Sequence, residues 1–135
     1  MPSYDYNSGN KAPRLQGAIA GYVVPDLDVS SNGERSWVEV KAKTNAGSPT
    51  RLTGRNEHGF SWRLFQHYRM VQQITGTPVY IMILEVMTGD VLYQSLDTLD
   101  GIKRVYDGDK MDRGGTIFFP RDHLLQLCNI QQAGQ

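Results

Sequence analysis

The stretch SWVEVKAKT, Ser36–Thr44, places a carboxylate and two ammonium groups on one face if it forms a β-strand. Strict alternation puts Val38, Val40 and Ala42 on one face, and Trp37, Glu39, Lys41 and Lys43 on the other. Asp26 follows a proline thirteen residues before Glu39, and SSNGER between them is typical of a tight reversal. A hairpin of this length would bring Asp26 opposite Glu39, with Lys41 beside it.

Two carboxylates beside a lysine are suited to hydrolysis of a phosphodiester. Carboxylate oxygens hold Mg²⁺, which neutralises charge in the transition state and lowers the pKa of an attacking water. A neighbouring lysine can orient that water or stabilise the developing charge. The same residue types are also common without such a function, because Glu and Lys often pair on exposed sheets and Asp often follows Pro in turns.

Asp28 is a second candidate ligand, because it lies two residues after Asp26 and would share its face in a regular strand. Either aspartate, or both, could serve. We favour Asp26 because it directly follows the proline and precedes the apolar Leu27.

The surrounding elements are predicted to form one domain over residues 14–135, preceded by a loose polar arm over residues 1–13. A short apolar strand is expected within residues 18–29, and residues 45–59 read as a long mobile loop. A helix is predicted from a Ser61 cap to Gly76. The remaining elements are a strand in PVYIMILEVM covered on both faces, a hairpin partner in VLYQSL, a strand in TIFF and a closing helix in PRDHLLQL.

Composition narrows the class of protein without naming a partner. The formal net charge is +0, so any electrostatic argument must rest on where the charges lie. The single cysteine, Cys128, excludes an internal disulfide and is expected to be a small buried residue on the last helix. We expect a cytoplasmic location, or the host cytoplasm for a phage-encoded chain, with no membrane partner and no nucleotide cofactor.

The Pro25-Asp26 pair followed by Glu39-Val40-Lys41 resembles the signature of the PD-(D/E)XK nuclease superfamily. The resemblance covers roughly residues 21–86 and implies an α/β fold with a restriction-endonuclease-like core, a central mixed β-sheet flanked by helices. It implies Asp26 and Glu39 as ligands of Mg²⁺, for which Mn²⁺ substitutes, with the Val40 backbone carbonyl completing the ligand set. Lys41 would be the catalytic lysine. The compact size is similar to that of small single-domain phage or mobile-element members and of Holliday-junction resolvases.

Basic residues are concentrated after the strand that carries Glu39. From Lys41 to Arg69 the chain has six basic residues and one acid, Glu57. Such a segment could contact phosphates on either side of a cut. The predicted DNA-binding residues are Lys43, Arg51, Arg55, Arg63 and Arg69, and the secondary site candidates are Asp28, Gln66 and His67.

The sequence therefore predicts a Mg²⁺-dependent endodeoxyribonuclease, a hydrolase that is structure-selective in the manner of a Holliday-junction resolvase. A sequence-specific homing or restriction-like endonuclease is the nearest alternative, and a repair nuclease is the third. From another class, the chain could be an inactive nuclease-like module that binds DNA or protein. Cutting both strands with so small a domain would most simply require a homodimer with two sites about a twofold axis.

Overall fold

The computed structural model describes residues 21–44, 46–49, 54, 56–105 and 115–133, so the predicted arm at 1–13 lies outside the described residues. In chain order the elements are β1 (Leu27–Ser31), β2 (Glu34–Lys43), β3 (Ser48–Pro49), β4 (Asn56–Ser61), α1 (Trp62–Thr75), β5 (Val79–Glu85), β6 (Asp90–Ser95), α2 (Leu96–Ile102), β7 (Arg104–Val105), β8 (Thr116–Pro120), a 3-10 turn (Arg121–His123), β9 (Leu125–Asn129) and α3 (Ile130–Ala133). The fold is α/β with a mixed sheet, as predicted at that level. None of the described helices is long and apolar enough to cross a membrane.

The described strands form two sheets. The first has the order β1-β2-β5-β6-β9 and is mixed, because β2 and β5 are parallel while every other neighbouring pair is antiparallel. The second is antiparallel and has the order β3-β4-β8-β7. The chain runs from β2 through β3, β4 and α1 before it returns as β5, so the crossover that parallel strands require contains both a strand pair and a helix.

The hairpin β1-β2 confirms the predicted reversal in SSNGER. Asn32 and Gly33 both adopt positive φ, 53° and 80°, which is the geometry of a two-residue turn that matches the twist of the strands. The strand before the turn lies later than expected, however. It begins at Leu27, after Pro25, whose ring removes a backbone donor.

The charged face of β2, rather than its apolar face, packs against the core. Trp37 is 4% exposed within a cluster formed by α1, β5 and both sheets, whereas Val40 is 36% exposed. The next strand, β5, also packs one of its two faces against the core. Val79, Ile81 and Ile83 are buried while the alternate residues are half-buried, so the prediction that this strand is covered on both faces is wrong for the described residues.

Helix α1 confirms the predicted bounds and both caps. The Ser61 hydroxyl accepts a hydrogen bond from the Leu64 N–H, and Gly76 closes the helix in the left-handed region at φ 68°. The buried face consists of Phe65, Tyr68 and Val71.

The predicted loop at residues 45–59 and a segment without a predicted element, residues 96–102, contain regular structure. Residues 45–59 include β3 and most of β4. These two strands pair with each other, and β4 also pairs with β8. Residues 96–102, which lack a strong periodic signal, form α2, where the Ser95 hydroxyl caps the Thr98 N–H and Leu96 and Leu99 are buried. Both elements are stabilised by packing against distant segments, which overrides weak local preference.

The predicted closing helix in PRDHLLQL is wrong. After a 3-10 turn, β9 pairs along the edge of β6 and satisfies its backbone groups. Cys128 is correspondingly exposed on β9 rather than buried on a helix.

A buried ionic cluster fixes the end of β5 against β4 and the 3-10 turn. The fully buried Glu85 accepts two hydrogen bonds from Arg121, at 2.7 and 2.8 Å, and its Oε2 lies 2.7 Å from His58 Nε2. Burial alone would raise the pKa of Glu85, but the hydrogen bonds from Arg121 and His58 lower it. Burial lowers the pKa of His58 despite the opposing effect of Glu85, so neutral His58 beside ionised Glu85 is the state favoured by the fold.

We predict that Glu85→Ala lowers the free energy of unfolding by about 3 kcal/mol, because it leaves the Arg121 charge without its buried partner. Denaturant titration measures the loss, with the exposed Glu34→Ala as a control that should change little. The contribution of His58 to stability should fall as the pH drops below 6.5, because unfolded His58 binds a proton that the folded protein disfavours. Equal stability of the two variants would contradict the role given to this cluster.

Candidate active site

The hairpin register brings Asp26 level with Glu39. Leu27 pairs with Val38, so the preceding residue on one strand faces the following residue on the other. Two hydrogen bonds join Asp26 to β2: the Asp26 N–H donates to Glu39 Oε1 at 3.2 Å, and the Val40 N–H donates to Asp26 Oδ2 at 3.2 Å. The predicted convergence of these two carboxylates is therefore present.

Glu39 is buried, at 3% exposure, while Asp26 is exposed. The second oxygen of Glu39, Oε2, accepts a hydrogen bond of 2.6 Å from the Tyr68 hydroxyl on α1. The pair thus has one carboxyl fixed against the core and one facing solvent, which is the arrangement of a site that a ligand reaches from outside.

Tyr68 is a site residue that sequence analysis missed. It belongs to the buried face of α1. A signal was available, because a buried tyrosine hydroxyl requires a polar partner and Glu39 is the acid on the facing strand.

The electrostatics of Glu39 are those of a carboxyl that is costly to ionise. Its pKa is raised from 4.5 to about 7. Burial is the main cause, and the hydrogen-bonded and nearby Asp26 carboxyl contributes in the same direction. The Tyr68 hydrogen bond and the Lys41 charge act in the opposite direction. Burial and the proximity of Glu39 also raise the pKa of Tyr68, which therefore stays a hydrogen-bond donor.

Lys41 projects from the same face as Glu39 and remains 37% exposed at its side chain. Its Nζ lies 3.5 Å from Glu39 Oε2 and 5.7 Å from the centre of the Phe60 ring. The ammonium is therefore held beside the carboxylate pair while still reaching solvent, as the two-residue spacing predicted.

The donor set suits a hard divalent cation such as Mg²⁺. Mg²⁺ binds through one or two carboxylates and keeps several waters, and a site for it needs no cage of protein ligands. A cation between Asp26 and Glu39 would also relieve the repulsion that raises the pKa of Glu39. Among the described residues, no group of three or more His, Cys, Asp or Glu side chains is placed to hold a metal ion.

Backbone pairing supports the Val40 carbonyl as a third ligand. Trp37 donates to Pro78, and Lys43 accepts from Val86, so the odd-numbered residues of β2 direct their backbone groups toward β5. The Val40 N–H points the other way, to Asp26. Because the N–H and C=O of one strand residue lie on the same side, the Val40 carbonyl also faces the Asp26 side.

Asp28 is placed elsewhere. It lies opposite Trp37 in the hairpin and forms an exposed ion pair with Arg35. Of the two aspartates left open by the sequence, Asp26 is the one hydrogen-bonded to the Glu39 strand at the site.

The predicted DNA-binding residues do not form one patch. Lys43 lines a cavity with Lys41, whereas Arg69 lines a different cavity beside α2 and lies 3.6 Å from Asp100. Arg63 is exposed on α1. Arg51 and Arg55 lie outside the described residues.

The two secondary candidates on α1 have different surroundings. Gln66 is exposed and lines the same cavity as Arg69. His67 accepts a hydrogen bond of 3.0 Å at Nδ1 from the Val23 N–H, and its ring meets the Tyr22 ring edge-on. His67 thus anchors the segment that leads into Asp26.

We predict that Glu39→Gln stabilises the metal-free protein at about pH 8, because glutamine mimics the protonated carboxyl that the site prefers. A carboxyl with a raised pKa contributes its full stability below pH 4.5 and loses it as the pH rises through about 7. The shift corresponds to at most about 3 kcal/mol. Denaturation in EDTA across this pH range measures it.

The advantage of Glu39→Gln should vanish below pH 4.5, where wild-type Glu39 is protonated in both states. The exposed Glu34→Gln serves as the control and should show no such crossover. A Glu39→Gln protein that is less stable than the wild type at every pH would contradict the account of the pair.

Comparison with known proteins adds no identification to this geometry. No protein-family model matches the chain, and neither a curated protein nor a solved structure was found to match it. The resemblance to the PD-(D/E)XK signature therefore rests on Asp26, Glu39 and Lys41 and on the placement of their side chains.

Proposed function

We propose that the protein is a metal-dependent DNA endonuclease with a restriction-endonuclease-like core. The observation that carries the proposal is the hydrogen-bonded pair of Asp26 and Glu39 with Lys41 at 3.5 Å. A carboxylate pair of this kind, one member buried, together with an adjacent ammonium, matches the requirements of metal-assisted phosphodiester hydrolysis.

The order of elements supports the same proposal. The aspartate strand and the Glu-x-Lys strand are antiparallel neighbours, and α1 leads from them to a parallel neighbour, β5, at the centre of the mixed sheet. The resemblance implies a core of strand, strand, strand, helix and strand; β1, β2, α1 and β5 keep this order, while the strands between β2 and α1, β3 and β4, belong to the second sheet.

Each residue has a distinct part in the proposed reaction. Bound Mg²⁺, or Mn²⁺ in its place, supplies charge neutralisation and a water of lowered pKa. Asp26 and Glu39 hold the cation, with the Val40 carbonyl as a further ligand. Tyr68 fixes the Glu39 carboxyl in position, and Lys41 positions the attacking water or stabilises negative charge on the phosphoryl oxygens.

A structure-selective nuclease of the Holliday-junction-resolvase type is our first choice of substrate class. Recognition of shape needs mainly phosphate contacts, and the predicted DNA-binding residues that the structure describes lie in separate places rather than in one reading surface. A sequence-specific homing or restriction-like enzyme remains the alternative. An inactive module that binds DNA or protein would retain binding without metal-dependent cleavage. We propose that the protein is located in the cytoplasm.

We predict Mg²⁺-dependent cleavage of at least one substrate among linear duplex, supercoiled and four-way-junction DNA, measured on gels with Mg²⁺, Mn²⁺ or EDTA. Glu39→Gln and Lys41→Ala should each reduce the rate by about a hundredfold or more, because they remove a ligand and a charge at the reacting phosphate. Arg35→Gln, which removes a charge at the turn end of the hairpin, where Arg35 pairs with Asp28, is the control. Cleavage that persists in Glu39→Gln would reject the site.

A homodimer is the simplest way to cut two strands, and we propose the outer face of the five-stranded sheet as its interface. Apart from Glu34 next to the hairpin turn, the residues of β1, β2, β5 and β6 that face away from the core are uncharged; among them are Leu27, Val29, Val38, Val40, Ala42, Tyr80, Met82, Leu84, Val91 and Tyr93. A face with one charge at its margin is complementary to a second copy of itself, and depletion of charge marks the centres of protein interfaces.

We predict that the wild type sediments at twice the 15.2 kDa of one chain and that Leu125→Lys, on the edge strand of this face, sediments as a monomer. Leu125 is half-exposed, and so is Ile74 on α1, which makes Ile74→Lys a matched control that should remain dimeric. A monomeric wild type would contradict the dimer while leaving the catalytic site unaffected.

A further inference from the structure

A cavity of about 380 Å³ lies next to the candidate active site and has an unusual lining. Its walls are Lys41, Lys43, Gly59, Phe60, Ser61, Gly115 and Thr116. Two lysines, a serine and a threonine therefore line a space whose described lining includes no carboxylate. We propose that this cavity binds the backbone phosphate immediately next to the scissile one, an inference that rests on the proposed nuclease function.

Lys43 is the central residue of this subsite. Its Nζ donates to the Gly59 carbonyl at 2.8 Å, which fixes one of its three donors and holds the ammonium at the cavity wall. No carboxylate among the described residues lies within ion-pair distance of Lys43. Lys41, in contrast, already has Glu39 at 3.5 Å. The cavity thus contains a positioned cation that an anionic ligand would neutralise.

The spacing of the two lysines fits two successive phosphates. Lys41 and Lys43 project from the same face of β2 and lie about 6.7 Å apart along the strand. This distance is comparable to the separation of neighbouring phosphates in one nucleic-acid strand. With Lys41 at the scissile phosphate, Lys43 would reach the next one, and the strand direction of β2 would set the direction of the bound DNA strand.

Serine and threonine add hydroxyl-bearing side chains to the remaining lining. Gly59 is closely enclosed, because a Cβ there would lie 3.3 Å from both Phe118 and Thr116. The Thr116 hydroxyl lies on the facing strand β8, which pairs with β4 at this point. Lysine and hydroxyl groups without a guanidinium form a site for a point-like phosphate contact.

The first experiment titrates metal-free protein with inorganic phosphate and follows backbone amide signals by NMR. We expect saturable shifts at Gly59, Ser61 and Thr116 in the wild type. Lys43→Gln should weaken phosphate binding by about tenfold, since it removes a charge-assisted hydrogen bond, and Thr116→Val should weaken it less. Lys103→Gln removes the same charge outside the cavity and should bind as the wild type does.

The second experiment measures cleavage of the preferred DNA with one neutral methylphosphonate placed on either side of the cut. The wild type should be slowed about tenfold by a neutral group on one side. Lys43→Gln should be slow on unmodified DNA and show no further loss on that side.

The two experiments separate failure of the subsite from failure of the nuclease. Phosphate binding that Lys43→Gln does not weaken would overturn the subsite, even with Glu39-dependent cleavage intact. Lys43-dependent phosphate binding in a protein that cleaves no DNA would retain an anion site and reject the nuclease function on which our assignment of its ligand rests.

Discussion

The burial of the Glu39 carboxyl is the constraint on which the rest of the site depends. An acid on a strand that packs its charged face inward must find partners for both oxygens, because an unsatisfied buried carboxyl is costly. The Asp26 N–H satisfies one oxygen and the Tyr68 hydroxyl the other. The hairpin and α1 are thereby tied to the same side chain, and the position of each fixes the geometry of the site.

The folded protein places two carboxyl groups together that repel each other when both are ionised. Asp26 lies beside Glu39, and burial makes Glu39 more difficult to ionise. The cost is offset by core residues of the same strand and its neighbours, among them Trp37, Val79 and Ile81. Sites that bind metal or substrate commonly retain such unfavourable pairs, since the ligand removes the repulsion when it binds.

Local patterns in the sequence were sufficient to predict the hairpin, α1 with both caps, and the convergence of Asp26, Glu39 and Lys41. Their signals are short-range: an Asn-Gly turn, helical periodicity and two-residue alternation. Tyr68, α2 and β9 were not predicted in their observed roles. Each depends on a partner distant in sequence. Tyr68 donates a hydrogen bond to Glu39, α2 packs against the core, and β9 pairs with the edge of β6.

Paramagnetic broadening of amide NMR signals with Mn²⁺ shows whether Asp26 and Glu39 hold a divalent cation. We expect low concentrations of Mn²⁺ to broaden the signals of Asp26, Glu39 and Val40 first, and Glu39→Gln to remove this selectivity. Broadening centred on Asp97 and Asp100 instead, or unchanged at Val40 in Glu39→Gln, would contradict a metal site at this pair.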